Sequence, residues 1–356
     1  MKSIAQKTAF FYITLVLVVL PNLTFAGQKK ALHHTTDTYK YALTRSSTRV
    51  HRVHSASNSK RIKVSIIRHS LVAHRIHTGA QNFDTFAKVG YSSGVLQIAS
   101  SKALIVNQET GDTVFAKGIN VLTPIASVTK LMTAMVMLDA KLPMNEILTI
   151  TDEDVDYLKG SSSRLPVGTR LSRLEMLQLA LMASENRAAS ALGRNYPGGK
   201  GDFVRAMNAK ATELSMSSSH FADPTGLDSN NMSTAEDLVR MVKAAYQYID
   251  IKRVTTTANY EVYLNKRGPV NFNNTNGLVR EGNWEIGLSK TGYISEAGRC
   301  LVMQATIAGQ PMIIVLLDSN GKMTRIGDAN RIRKWIETNP IPKQTVTGQL
   351  LVTKSS

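Results

Sequence analysis

The chain has 356 residues, a formal charge of +17, 43% hydrophobic residues and one cysteine. Such a chain is no disulfide-built miniprotein, and it is long enough to bury a sizeable core. The charge is concentrated: residues 27–80 hold 11 Lys/Arg against one acid, Asp37, whereas the chain beyond residue 80 carries only +5.

In chain order, Met1-Lys-Ser-Ile-Ala-Gln-Lys7 is a short positive region and 9–20 is an apolar run too short to span a bilayer comfortably. Thr24-Phe-Ala26 then ends in a small residue before Gly27, so residues 1–26 read as a secretory signal peptide, with an uncleaved anchor as the alternative. Residues 27–85 form a basic arm with seven of the eight histidines: His33, His34, His51, His54, His69, His74 and His77. With little apolar periodicity, it reads as largely disordered. A positive arm on an exported chain favours anionic wall or lipid A surfaces; a solvated tether is the bland reading. The histidine spacing does not repeat as a metal motif would, so no metal is expected, and export makes nucleic acid a poor partner.

Residues 86–340 read as one domain. Strands are expected at 95–99, 103–106 and 113–116, the last two paired across the turn 109–112. Helical runs follow at 127–139, 173–183, 187–195, 202–214 and 235–247. Ser233-Thr-Ala-Glu236 reads as a capping box for the last of these. Strands return at 260–264, 284–290, 300–307 and 312–317, a helix covers 325–337, and 341–356 is a short polar tail. Strands at both ends with helices between imply a mixed α and β fold: an antiparallel sheet flanked by helices, with an inserted all-helical lobe. The cleft lies where lobe and sheet meet. Cys300, on the strand expected at 300–307, reads as a buried structural thiol.

Three short elements carry the chemistry: Ser127-Val-Thr-Lys130, Ser184-Glu-Asn186 and Lys290-Thr-Gly292. S-x-x-K alone is a weak signal, since it recurs from Ser57 to Lys60 and from Ser319 to Lys322. S-x-N recurs from Ser229 to Asn231. Only Ser127 opens a long apolar helical run, with Pro124 just ahead. Lys130, three residues on, shares its helix face. A serine hydroxyl needs a base, and a buried lysine near other cations, Lys290 among them, loses its proton and becomes one. Ser184 and Asn186 lie between two helical runs, where a loop presents them to the cleft. Ser184 suits proton relay to a leaving amine and Asn186 suits a substrate amide, although Ser184 could simply cap the next helix. Gly292 suits close approach of a substrate backbone, and the N–H groups of Ser127 and Tyr293 suit an oxyanion.

Together with 124–140, 179–189, Asp223-Pro-Thr-Gly-Leu227 and Asn274-Thr-Asn-Gly-Leu278, these motifs resemble the D-alanyl-D-alanine peptidase family of low-molecular-mass penicillin-binding proteins. Within it the chain looks most like the penicillin-binding protein 7 type of murein DD-endopeptidase. The resemblance spans roughly residues 90–338. It implies a periplasmic serine peptidase with no cofactor, acting on peptidoglycan peptide crosslinks and acylated by β-lactam antibiotics. It makes Ser127 the nucleophile and Lys130 the base, and makes Ser184, Asn186 and Lys290 the second and third motif residues. Thr291, Gly292 and Tyr293 become substrate-binding. Arg325 falls where carboxypeptidase relatives hold an arginine for a terminal carboxylate; a surface arginine is the alternative. Those relatives also carry a β-rich C-terminal domain and an anchor, so the short tail here implies a soluble or peripherally held protein. D-alanyl-D-alanine carboxypeptidase stays open as the alternative activity. A class A β-lactamase would need E-x-x-N between the second and third motifs, and none occurs. A non-catalytic penicillin-binding envelope protein sits poorly with intact motifs.

Overall fold

The computed structural model describes residues 95–264 and 268–339; the signal peptide, the arm and the polar tail expected from the sequence lie outside the described residues. The first hairpin is β1 (Lys102–Asn107) with β2 (Thr113–Lys117), closed over the expected turn by Asn107 N–H donating to Asp112 O. β3 (Thr123–Pro124) leads through a 3-10 turn, Ala126–Thr129, into α1 (Lys130–Asp139). A small ladder of β4 (Ile147–Thr149) and β5 (Arg170–Ser172) precedes α2 (Arg173–Met182), α3 (Asn186–Arg194) and α4 (Gly199–Glu213). β6 (Met232–Ser233) pairs with β3, followed by α5 (Ala235–Ala245) and α6 (Ile249–Thr255). β7 (Asn259–Tyr263) and β8 (Pro269–Asn273) make a separate ribbon, and α7 (Gly277–Glu281) follows. β9 (Glu285–Ile294), β10 (Gly298–Ile307), β11 (Gln310–Ser319) and α8 (Thr324–Thr338) complete the domain.

The main sheet is antiparallel, in the order β2-β1-β11-β10-β9, so β9 is an edge strand. β10 and β11 are buried on both faces, which is why each reads as a nearly continuous apolar run. One face, through Leu104, Val302, Ile313 and Val315, packs on the core of the helical lobe. The other, through Ile105, Leu301, Met303 and Ile314, packs on Ala329, Ile332 and Ile336 of α8. α1 runs through the lobe, touched by α2, α3, α4, α5 and α6, and is buried from Lys130 to Met137. A helix apolar all round needs that kind of surround.

The expected architecture is present, with local differences. Residues 95–99 are not a strand. β1 already has a neighbour on each side, and this segment's backbone bonds to side chains instead. Ala99 N–H and Ser100 N–H donate to Asp328, and Lys117 Nζ donates to the carbonyls of Ile98 and Ser100. The strand expected at 260–264 joins the β7–β8 ribbon rather than the main sheet. α6, β8 and α7 were not foreseen. The cap of α5 is Thr234, whose hydroxyl accepts from Asp237 N–H, not Ser233; Glu236 instead pairs with Arg240.

Candidate active site

Two left-handed backbone positions set the stage: Ala126, with φ +48°, and Ser184, with φ +60°. Neither is glycine, so each costs about 1–3 kcal/mol and persists because the surroundings impose it. The kink at Ala126 puts Ser127 in the 3-10 turn and makes Lys130 the first residue of α1. Two glycines clasp this turn. A Cβ on Gly226, at φ +79°, would overlap Ala126 O, and one on Gly292 would sit 2.8 Å from Ile125 O. Gly292 was expected to admit substrate backbone; the crowding that requires glycine comes from residues 125–127 of the protein itself.

The three motifs converge. Lys130 Nζ, on a fully buried residue, lies 2.8 Å from Ser127 Oγ, 2.7 Å from Asn186 Oδ1 and 2.6 Å from Thr225 O. Asn186 Nδ2 donates to Ser161 Oγ at 2.9 Å, which fixes the amide with its oxygen toward the lysine. Thr225 O and Asn186 Oδ1 can only accept. A neutral amine gives them its two hydrogens and turns its lone pair toward the Ser127 hydroxyl. Burial pushes Lys130 from 10.5 down to about 7, against the opposing pull of Asp223 and Glu185. A lysine held that low exchanges its proton readily near neutral pH.

Lys290 Nζ, also buried, donates to Ser184 Oγ at 2.9 Å and to Thr291 O at 2.9 Å. Burial first, then the charges of Lys130 and Arg325, hold it well below the ordinary lysine value. Ser184 thus faces a lysine donor as the loop between α2 and α3 carries it into the cleft. Thr291 Oγ1 donates to Thr275 Oγ1 at 2.6 Å. Tyr293 is 56% exposed at the rim, and the Arg299 guanidinium lies 4.3 Å from its ring centroid. Arg325 lies in the first turn of α8; its Nε and Nη1 are buried with no hydrogen-bond partner among the described residues. It is no ordinary surface arginine.

Several contributors escaped the sequence reading. Asp223 staples its turn by accepting from Thr225 N–H, Gly226 N–H, Thr225 Oγ1 and Asn231 Nδ2. That aims the Thr225 carbonyl at Lys130; the Asp-Pro-Thr-Gly turn was visible, but a carbonyl contact leaves no side-chain signature. Glu185 is buried, accepting from Ser163 Oγ and Arg164 Nε. Lys159 pairs with Glu296 in the β9–β10 turn, tying the loop that holds Asn186 to the strand that holds Lys290. Ser319, in one rejected S-x-x-K, is buried against Ser100. Among the described residues there is no cluster of metal-ligating side chains, and no helix is long and apolar enough to cross a membrane.

Known proteins place this geometry. A family profile described as D-alanyl-D-alanine carboxypeptidase, peptidase S11, matches residues 89–321. A D-alanyl-D-alanine endopeptidase of Pseudomonas aeruginosa is 46% identical over 69% of this chain and 79% of its own length. One from Escherichia coli is 44% identical over 69% of this chain and 81% of its own. The crystal structure of the Streptomyces K15 DD-transpeptidase superposes with TM-score 0.63 at 29% identity, covering 67% of this chain and 97% of that one. The chain belongs to the D-alanyl-D-alanine peptidase family S11 of serine enzymes.

Proposed function

We propose that the chain is an exported serine DD-endopeptidase that cuts D-alanyl crosslinks in peptidoglycan. The observation that carries the chemistry is the Lys130 amine, whose two other polar partners can only accept, so that its lone pair faces Ser127 Oγ. Ser127 attacks the D-alanyl carbonyl and Lys130 takes its proton. The N–H groups of Ser127 and Tyr293 receive the oxyanion. Ser184, bonded to Lys290, passes a proton to the leaving amine. Asn186 keeps one hydrogen-bonding position at each end of its amide for the substrate. Water then frees the acyl-enzyme. Penicillins acylate the same serine and leave slowly, since no E-x-x-N supplies a carboxylate to activate water.

Crosslink cleavage over removal of a terminal D-alanine is supported by the gradient among relatives. Those named endopeptidase are 41–46% identical, and those named carboxypeptidase, that of Bacillus subtilis among them, are 28–30%. Digesting purified crosslinked muropeptides decides it: monomers should appear with wild type and vanish with Ser127→Ala, which should also lose covalent labelling by a fluorescent penicillin. Release of D-alanine alone would reassign the enzyme to the carboxypeptidases.

The signal-like residues 1–26 support a periplasmic site of action, and the charge of residues 27–80 supports contact with anionic envelope surfaces. Deleting 27–80 should spare hydrolysis of soluble muropeptides and weaken retention on sacculi, most clearly at low salt. Equal, salt-indifferent retention of both forms would leave the arm a plain tether.

A further inference from the structure

Among the described residues, one ion pair joins the two sides of the cleft. Lys159 Nζ, on the lobe, lies 2.5 Å from Glu296 Oε1, in the turn between β9 and β10. Both partners are held in place. Asp156 accepts from the N–H groups of Leu158, Lys159 and Ser161, which fixes the backbone that carries the lysine. Ser295 Oγ donates to Glu296 Oε2, so the carboxylate is bonded at each oxygen. On the lobe side, Lys159 is two residues from Ser161, whose hydroxyl accepts from Asn186 Nδ2. On the sheet side, Glu296 lies three residues beyond Tyr293. The bridge therefore crosses the cleft next to the groups that hold the substrate amide and the oxyanion.

The catalytic groups give the direction of the substrate. Ser184, which passes a proton to the leaving amine, is bonded to Lys290, near the middle of β9. Tyr293, whose N–H receives the oxyanion, lies three residues further along the same strand. The leaving group thus lies toward Lys290, and the acyl chain runs the other way, past Ile294 to the bridge. In a peptidoglycan crosslink that chain has no free end. One end is joined to a glycan strand, and the other, through the scissile bond, to the neighbouring peptide. A chain tethered at both ends cannot thread beneath a closed bridge; the bridge has to part. A penicillin, small and untethered, needs no such opening. The pair suits this use, since its side chains are 27% and 42% exposed. Ion pairs that exposed are weak and screened by salt, so they part and re-form readily.

We propose that Lys159 and Glu296 form a gate across the acyl end of the cleft, which parts to admit crosslinked chains and stays closed over small untethered ligands. They are thereby specificity residues: they control which substrates enter, and take no part in breaking the bond. This rests on the DD-endopeptidase reading and adds to it how a tethered substrate reaches the serine.

The test locks the gate. In a Lys159→Cys, Glu296→Cys variant, a short bismaleimide joins the two thiols; Cys300, the chain's one native cysteine, is buried and does not compete. Acylation by a fluorescent penicillin should stay within about twofold of the unlinked variant. Cleavage of crosslinked muropeptide dimers that keep their sugars should fall by about tenfold or more, as the open fraction is removed. Equal losses on both, or no loss on either, would overturn the gate. Glu296→Gln is the gentler variant. With the pair gone, dimer cleavage at low salt should rise about two- to fivefold, the factor an exposed ion pair can hold back, with penicillin acylation unmoved. Wild type should approach that rate as salt is added. An unchanged or lower rate in Glu296→Gln would leave the pair a brace for the Asn186 loop and overturn the gate. Binding separates this from the endopeptidase reading. In a Ser127→Ala background, uncut dimers should bind the linked form about tenfold or more weakly than the unlinked one. If wild type cuts no dimer, the endopeptidase reading fails on its own; equal binding by the two forms overturns the gate whatever the products.

Discussion

The two walls of the cleft are built on opposite plans. On the lobe side, the Lys130 amine has three partners, and Asn186 and Asp223 are bonded at both ends of their polar groups. On the sheet side, among the described residues, Arg325 keeps two donors unpaired and Arg299 lies over the Tyr293 ring. The bonded wall holds the Lys130 amine still and, by burial, well below the ordinary lysine range. The contrast is therefore between interior and rim rather than between layers: Lys290, on β9, is as firmly bonded as Lys130, and the open donors lie outside it.

The sharpest break of that contrast is Lys130→Arg. Arginine satisfies the same acceptors but stays protonated, so it cannot take the Ser127 proton. Acylation by a chromogenic penicillin should fall about 10²–10⁴-fold with the fold intact. A rate within a few-fold of wild type would move the base elsewhere.

Gly226→Ala should come next. It strains a φ of +79° and forces a methyl group against Ala126 O, displacing the turn that carries Ser127. Stability should drop by about 1–3 kcal/mol, read from denaturant midpoints, with acylation slowed as well. An unchanged rate would mean that the turn is positioned from α1 alone.

The mildest probe is pH. With Lys130 at about 7 and active when neutral, acylation should level off above about pH 8 and fall roughly tenfold per unit below pH 6. The stability sign follows. The native lysine releases its proton at about 7 and the unfolded one at 10.5, so this group's contribution to stability rises with pH across that window. A flat rate profile from pH 5 to 8 would contradict a neutral base.

How much of this was legible depended on what kind of atom did the work. Ser127, Lys130, Ser184, Asn186 and Lys290 were readable because side-chain identity and spacing carry their geometry, and helix or strand periodicity brings them to one place. The Thr225 carbonyl was not, because any residue supplies a carbonyl and only the Asp223 staple aims it. Gly292 was read for substrate approach; the structure adds a demand the sequence did not show, the nucleophile's own turn against it. Residues 95–99 looked like a strand because local pattern cannot register that both flanks of β1 are already taken.

The clasp on residues 97–100 has a mechanical side. Asp328 on α8 accepts from Ala99, Ser100 and Arg331, while Arg331 and Lys117 hold the carbonyls of Gln97, Ile98 and Ser100. These contacts load the chain in shear at α8 and the β1–β2 hairpin, on structure that carries none of the three motifs. Opening residues 97–100 away from α8 therefore breaks several charge-assisted hydrogen bonds before it disturbs the turn that carries Ser127.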